Sequence, residues 1–401
     1  MRRVMLTLAG VMVSAISALA VIAANGGFNR PADSGYWEKR IVACQDKTLL
    51  TTDEVLAHSY DCLKSTIREA VLNESFDAWY EAAAPVMAND VKLEYVCHIP
   101  GHDLGEEFVE YFDGDFRRAI MTLGYDICGG GIVHGVFDVW GKQPHPLATW
   151  LDIGAACIEQ NKIRYSTCGD AVGHAAFEST GQDLTAAIGV CDMLPEAWIQ
   201  NSCANGAFMQ KYYPQSSALK YTRKVPIPSW EQLIDFCDGL STRNVGTLDG
   251  CYGGAGWVMG NNIFMNMSLL ATSEDEYVAS EQQQTEVVEQ ARRAVEACES
   301  NVPDNRGNPE VCIDLMLNRM PLFWYMDPTA FEQYCQKISD KRDRRFFLRC
   351  LAGGAEHLDQ APLQSIVEQY PEVGEIIRGR NPVLAGLVGV ADPLRNPAPA
   401  G

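Results

Sequence analysis

Residues 148–178 read ATWLDIGAACIEQNKIRYSTCGDAVGHAAFE. Up to Cys157 the apolar residues fall at three- and four-residue spacing, the pattern of a helix with one buried face. A polar loop follows, and Cys168 then opens a second stretch rich in Gly and Ala. A cysteine at the end of one helix and another at the start of the next predict a hairpin stapled across its turn.

The arrangement recurs. Cys191 and Cys203, Cys237 and Cys251, Cys298 and Cys312, and Cys335 and Cys350 form similar couples, preceded by LTAAIGVC, WEQLIDFC, ARRAVEAC and DPTAFEQYC. Closing a loop of this size stabilises by about 3 kcal/mol in the chain-entropy model. Cys97 and Cys128 each stand where a second helix begins, with no partner at the end of the helix before, so they are expected to pair with each other. Cys44 and Cys62 remain to staple the N-terminal cap. A glycine recurs three residues after the second cysteine, as Gly131, Gly206, Gly254 and Gly353, with Ala171 at that place after Cys168. Glycine inside a helix costs about 1 kcal/mol relative to alanine, so its recurrence predicts close approach of another backbone.

No stretch alternates as a half-buried strand would. The expected fold is therefore all-α: disulfide-stapled helical hairpins repeated into a solenoid-like or compact curved array. A single globular helical domain is the runner-up. The plan resembles the disulfide-bridged helical-hairpin repeat proteins of secreted bacterial systems. That resemblance is of architecture alone and assigns no residue a role.

Two arginines precede an uncharged run from Val4 to Ala24 that contains the triplet Ala18-Leu19-Ala20. This is the pattern of a secretory signal, and the run is also long enough to span a bilayer as an uncleaved anchor. Residues 1–24 are read as signal peptide or N-terminal membrane anchor, and 25–40 as a linker. Residues 41–378 form the Cys-rich helical domain, with its histidine-bearing part at 97–180, and 379–401 a poorly ordered tail. Fourteen cysteines, an even number, point to disulfides in an oxidising compartment. The expected location is periplasmic or secreted, with membrane contact only through the N-terminal segment. A formal net charge of -20 argues against nucleic acid as a partner, because like charges repel.

The histidines share a register. His134 follows Cys128 by six residues and His174 follows Cys168 by six, while His102 follows Cys97 by five. Four residues further on stand Asp138, Glu178 and Glu106 respectively, and His98 lies one turn before His102. Positions i and i+4 share one helix face, so each pair presents an imidazole and a carboxylate together. These are ligand types for zinc, manganese, iron or copper. The candidate ligands are therefore His98, His102, His134, His174, Glu106, Asp138 and Glu178. The carboxylates would ligate directly, orient the imidazoles, or act as general bases beside a metal-bound water.

Later hairpins replace the histidine with Met209, Trp257, Asn318 and Glu356, which confines the pattern to one locality. Met209 would be a soft ligand for copper, or simply core. Trp140, Trp150, Trp198, Tyr212 and Tyr213 would line a ligand groove or fill the hairpin cores, the latter being the commoner fate. The basic stretch KRDRRFFLR at 341–349 reads as a solvated or salt-bridged face. Neither a nucleophile elbow nor H-E-x-x-H is present. The expected function is an exported metal-binding helical protein, with hydrolytic or oxidative metalloenzyme chemistry open to it. The alternatives are a disulfide-stabilised scaffold for an extracytoplasmic protein, peptide or small ligand, and haem held between two histidines.

Overall fold

A computed structural model describes residues 34–44, 52–88, 91–123, 128–159, 165–212, 228–240, 243–268, 281–301, 309–319, 328–339, 344–355 and 360–380. Segment 1–24, the tail from 381 onward and the Cys97 side chain lie outside the described residues. Among the described residues there are eighteen α-helices and no strand. The first six are α1 (Ser34–Ala43), α2 (Thr52–Leu72), α3 (Phe76–Ala88), α4 (Val91–Tyr111), α5 (Phe116–Leu123) and α6 (Gly131–Trp140). Next come α7 (Leu147–Glu159), α8 (Tyr165–Ser179), α9 (Leu184–Cys191), α10 (Ala197–Tyr212), α11 (Trp230–Asp238) and α12 (Val245–Ser268). The last are α13 (Glu281–Asn301), α14 (Pro309–Arg319), α15 (Pro328–Ile338), α16 (Arg344–Ala355), α17 (Gln360–Gln369) and α18 (Pro371–Arg380). Helix α1 begins within the segment read as a linker and buries Trp37 and Ile41. None of the described helices is long and apolar enough to cross a membrane.

The even-numbered helices pack side by side in an unbroken series from α2 to α18. Odd-numbered helices lie against them, with α1 on α3, α5 on α7, α11 on α13 and α13 on α15. The result is a compact two-row array. Helix α6, GIVHGVFDVW, is apolar or small nearly all round and buries Gly131 through Phe137 and Trp140. It is held between α4 and α8. Helix α13 instead buries Val287, Ala291, Ala294, Val295 and Cys298 at three- and four-residue spacing and turns its charged residues to water. Local signals agree with these boundaries: Asp183 accepts from the Thr185 and Ala186 amides to start α9, and Ser229 with Gln232 forms a capping box on α11.

Disulfides join Cys44–Cys62, Cys157–Cys168, Cys191–Cys203, Cys237–Cys251, Cys298–Cys312 and Cys335–Cys350. Five of these six tie an odd helix to the even one after it, across a short loop. Cys128 is also bridged; its expected partner, Cys97, is outside the side chains described.

Glycine does sit where helices meet. A Cβ on Gly131 would fall on the carbonyl oxygen of His98, and one on Gly135 on that of His102. Gly206 meets the Asp170 carbonyl in the same way as α10 crosses α8. Gly254 differs, because it faces the Phe208 side chain, 2.7 Å from where its Cβ would be. The basic stretch is salt-bridged: Arg344 reaches Glu372 at 2.9 Å, Arg349 reaches Glu310 at 2.8 Å, and Arg345 also reaches Glu310. Trp140 and Trp150 are buried against each other, with centroids 4.4 Å apart. Tyr212 is buried too, Trp198 packs partly buried against the core, and Tyr213 lies outside the described residues.

Two outcomes follow for stability. Gly135→Ala should destabilise the protein in chemical denaturation even though alanine gains about 1 kcal/mol in helix propensity, because the methyl group must push α4 from α6. A stabilised variant would show that the helices yield at no cost. Replacing both Cys237 and Cys251 by Ser should lower the unfolding free energy by about 3 kcal/mol, read as an earlier denaturation midpoint.

Candidate metal centre

The glycine contacts between α4 and α6 bring their side-chain stripes into one plane. Gly131 lies level with His98 and Gly135 level with His102, so His134, one residue before Gly135, falls between the two histidines of α4. Helix α8 packs on the other side of α6 and adds His174. Ring centroids are 5.0 Å apart for His98–His102, 5.5 Å for His98–His134, 5.4 Å for His102–His134 and 4.8 Å for His134–His174. His102, His134 and His174 are 3%, 3% and 1% exposed; His98 is partly open.

Two triplets of possible ligands result. His98, His102 and His134 form one, and His134, Asp170 and His174 the other, each with its ligand atoms within 4.8 Å of one another. His134 belongs to both.

The outer nitrogens of the first triplet are anchored. His98 Nδ1 lies 2.8 Å from the carbonyl oxygen of Cys128, and His102 Nδ1 lies 2.7 Å from Asp138 Oδ2. A carbonyl only accepts, so His98 donates from Nδ1, which in the neutral ring leaves the lone pair on Nε2. In its neutral form His102 is held by the Asp138 carboxylate in the same tautomer. The two Nε2 atoms face each other at 3.3 Å. Two bare lone pairs at that distance repel unless a cation or a proton stands between them. Tetrahedral coordination with bonds of about 2.0–2.1 Å separates neighbouring nitrogens by about 3.3 Å, which is the spacing found. A carboxylate or carbonyl behind each imidazole is the usual way a ligating ring is held.

The backbone around the site is unusual. Cys128 has φ 57° and Gly130 φ 79°. The left-handed conformation costs a non-glycine residue about 1–2 kcal/mol, and here it belongs to the residue whose carbonyl holds His98. At Gly130 a Cβ would strike Thr167 and stand 3.6 Å from His134 Nε2. Glycine keeps that face of the imidazole clear.

Asp170 completes the second triplet. Its Oδ2 lies 3.2 Å from His134 Nε2 and 3.6 Å from His174 Nε2. Neither ring nitrogen of His174 has a hydrogen-bond partner among the described residues. Leaving such a group unbonded in the interior costs on the order of 1–3 kcal/mol. Burial first, then the neighbouring His134, His102 and His98, hold His174 well below the usual histidine range, so it is neutral near pH 7.

The seven residues read from the sequence divide. All four histidines meet at the centre, and Asp138 supports it from behind, on the histidine of the neighbouring helix rather than its own His134. Glu106 and Glu178 belong to neither triplet. Glu106 pairs with Lys142 at 3.2 Å, and Glu178 accepts from Gln210 at 2.9 Å and Gln182 at 3.1 Å. Asp170 is not among the residues read from the sequence, in which each carboxylate follows its histidine; its signal is the reverse pattern D-x-x-x-H that ends at His174. Met209 is buried and lies in neither triplet. His145 is an ordinary packed histidine, stacked on Trp140 at 4.0 Å and donating to its carbonyl oxygen at 2.6 Å.

The chain matches no protein-family model, no curated protein and no solved structure. The functional reading therefore rests on the site.

His174 carries a pH dependence whose sign is fixed. An unfolded histidine titrates near about pH 6.5, whereas the folded ring stays neutral below that. As the pH falls through 6.5, roughly the unfolded value, the unfolded chain gains a proton that the native state does not take. Stability of the metal-free protein should fall by about 1.4 kcal/mol per pH unit from this group. Denaturation midpoints of wild type and His174→Gln across about pH 5 to 8 check this; parallel curves would show that His174 is not the source.

Proposed function

We propose that this is an exported metal-binding protein whose first ion is held by His98, His102 and His134. The observation that carries the reading is the pair of Nε2 atoms at 3.3 Å, each on a ring whose other nitrogen is anchored. His145 is held by a single carbonyl partner, whereas here two imidazole nitrogens face each other at the spacing of neighbouring ligands on one tetrahedral ion. Export is supported by the disulfides and by the signal-like residues 1–24.

The donors are neutral imidazoles and carboxylates. No described cysteine is free, so thiolate ligation and the metals that depend on it are disfavoured. Zinc suits three imidazoles, and manganese or iron(II) suits a set with a carboxylate. Haem fits poorly, because four imidazoles packed within 5.5 Å of their neighbours leave no flat slot for a macrocycle. Three protein ligands leave one position open to water or substrate, the arrangement that lets zinc act in hydrolysis. His98, the least buried of the four, marks the side from which that position is reached. Hydrolysis is thus the reaction class the centre suits, with Asp138 fixing His102 rather than transferring protons.

Chelator-stripped protein reloaded with zinc and desalted should retain at least one equivalent by elemental analysis and unfold at higher temperature. His102→Gln should lose most of that affinity, and Asp138→Asn should weaken it by about 10–100-fold. Wild type that retains no metal and gains no thermal stability would end this reading.

A further inference from the structure

Five candidate ligands are more than one ion can gather here. An ion with bonds of about 2.0–2.2 Å keeps any two ligands within about 4.4 Å of each other. The five instead fall into two triplets of ligand atoms that share His134. We infer that His134, Asp170 and His174 form a second metal locus beside the first, so that the protein holds a pair of divalent first-row transition ions. This rests on the metal reading of the neighbouring triplet.

Three observations support the second locus independently. His174 is 1% exposed, and both of its ring nitrogens are buried without a hydrogen bond. Asp170 Oδ2 stands 3.2 Å from one imidazole nitrogen and 3.6 Å from another, so three donors of ligand type surround one small space. Asp170 and His174 also lie one turn apart on a single helix, which sets both on the stripe facing α6. Among the described residues the buried His102 has the Asp138 carboxylate as acceptor, and the half-buried His98 and His145 have the carbonyls of Cys128 and Trp140.

Sharing His134 is chemically simple. An imidazole has two nitrogens, and the ring can donate to an ion on each side once its N–H proton leaves for solvent. The second locus differs in character from the first. Two imidazoles with a carboxylate favour manganese, iron(II) or zinc, and the carboxylate offsets part of the added positive charge.

Stoichiometry tests the inference. The chelator-stripped full chain is loaded with Mn²⁺ or Zn²⁺, desalted and assayed by elemental analysis. The expected result is two ions per chain in wild type and one in Asp170→Asn and His174→Gln, with circular dichroism confirming the helical fold of each. His98→Gln should also keep one. Mn²⁺-loaded wild type should give the paramagnetic resonance signal of a coupled pair, replaced by that of an isolated ion in His174→Gln. If one variant fails to fold, the other decides. A wild-type stoichiometry of one overturns the second locus while leaving the first intact. A wild type that binds neither Mn²⁺ nor Zn²⁺ overturns both.

Discussion

Where α4 crosses α6, the carbonyl oxygens of His98 and His102 rest where Cβ atoms of residues 131 and 135 would otherwise be. Two helices with ordinary side chains at a crossing keep their axes about 8–10 Å apart, and glycine at both positions lets the backbones meet. Everything distinctive about the centre depends on this contact. It sets the level of His134 between two histidines of the neighbouring helix. It also brings the Cys128 carbonyl within 2.8 Å of His98. The same contact between α8 and α10, at Gly206 and the Asp170 carbonyl, fixes the helix that carries Asp170 and His174.

Such a site works against the fold that carries it. Four imidazoles in contact displace apolar packing, and a buried ring without hydrogen bonds is costly. Cys128 adds a strained backbone. Residues of this kind persist where the surroundings over-determine them. Here the surroundings are the bridged hairpins, whose turns cannot separate, and the apolar faces of Ile132, Val133, Val136 and Phe137 around His134. Stability from the staples is therefore the condition under which the centre can be kept assembled.

The carboxylates show how far one helix can be read in isolation. Asp138 and Glu178 occupy matching positions four residues after a histidine, and the sequence treats them alike. In the structure Asp138 faces His102 across the helix boundary, while Glu178 is taken up by Gln210 of the next helix. Glu106, the third of the series, meets Lys142 near the surface. Their fates differ because each is decided by the residue that the neighbouring helix presents, and that residue changes along the row.

The order of polar and apolar residues, together with the cysteine couples, was enough to determine an all-helical chain of bridged hairpins and to pick out the region from 97 to 178 as special. These are local properties: the helical period, the turn and the closing of a short loop all act within a few residues. Which carboxylate joins the histidines, that Asp170 is among them, and that the four imidazoles fall into two overlapping triplets were decided only by the tertiary structure. They depend on the relative height and rotation of neighbouring helices, which backbone contact at a few glycines sets to within a fraction of a turn.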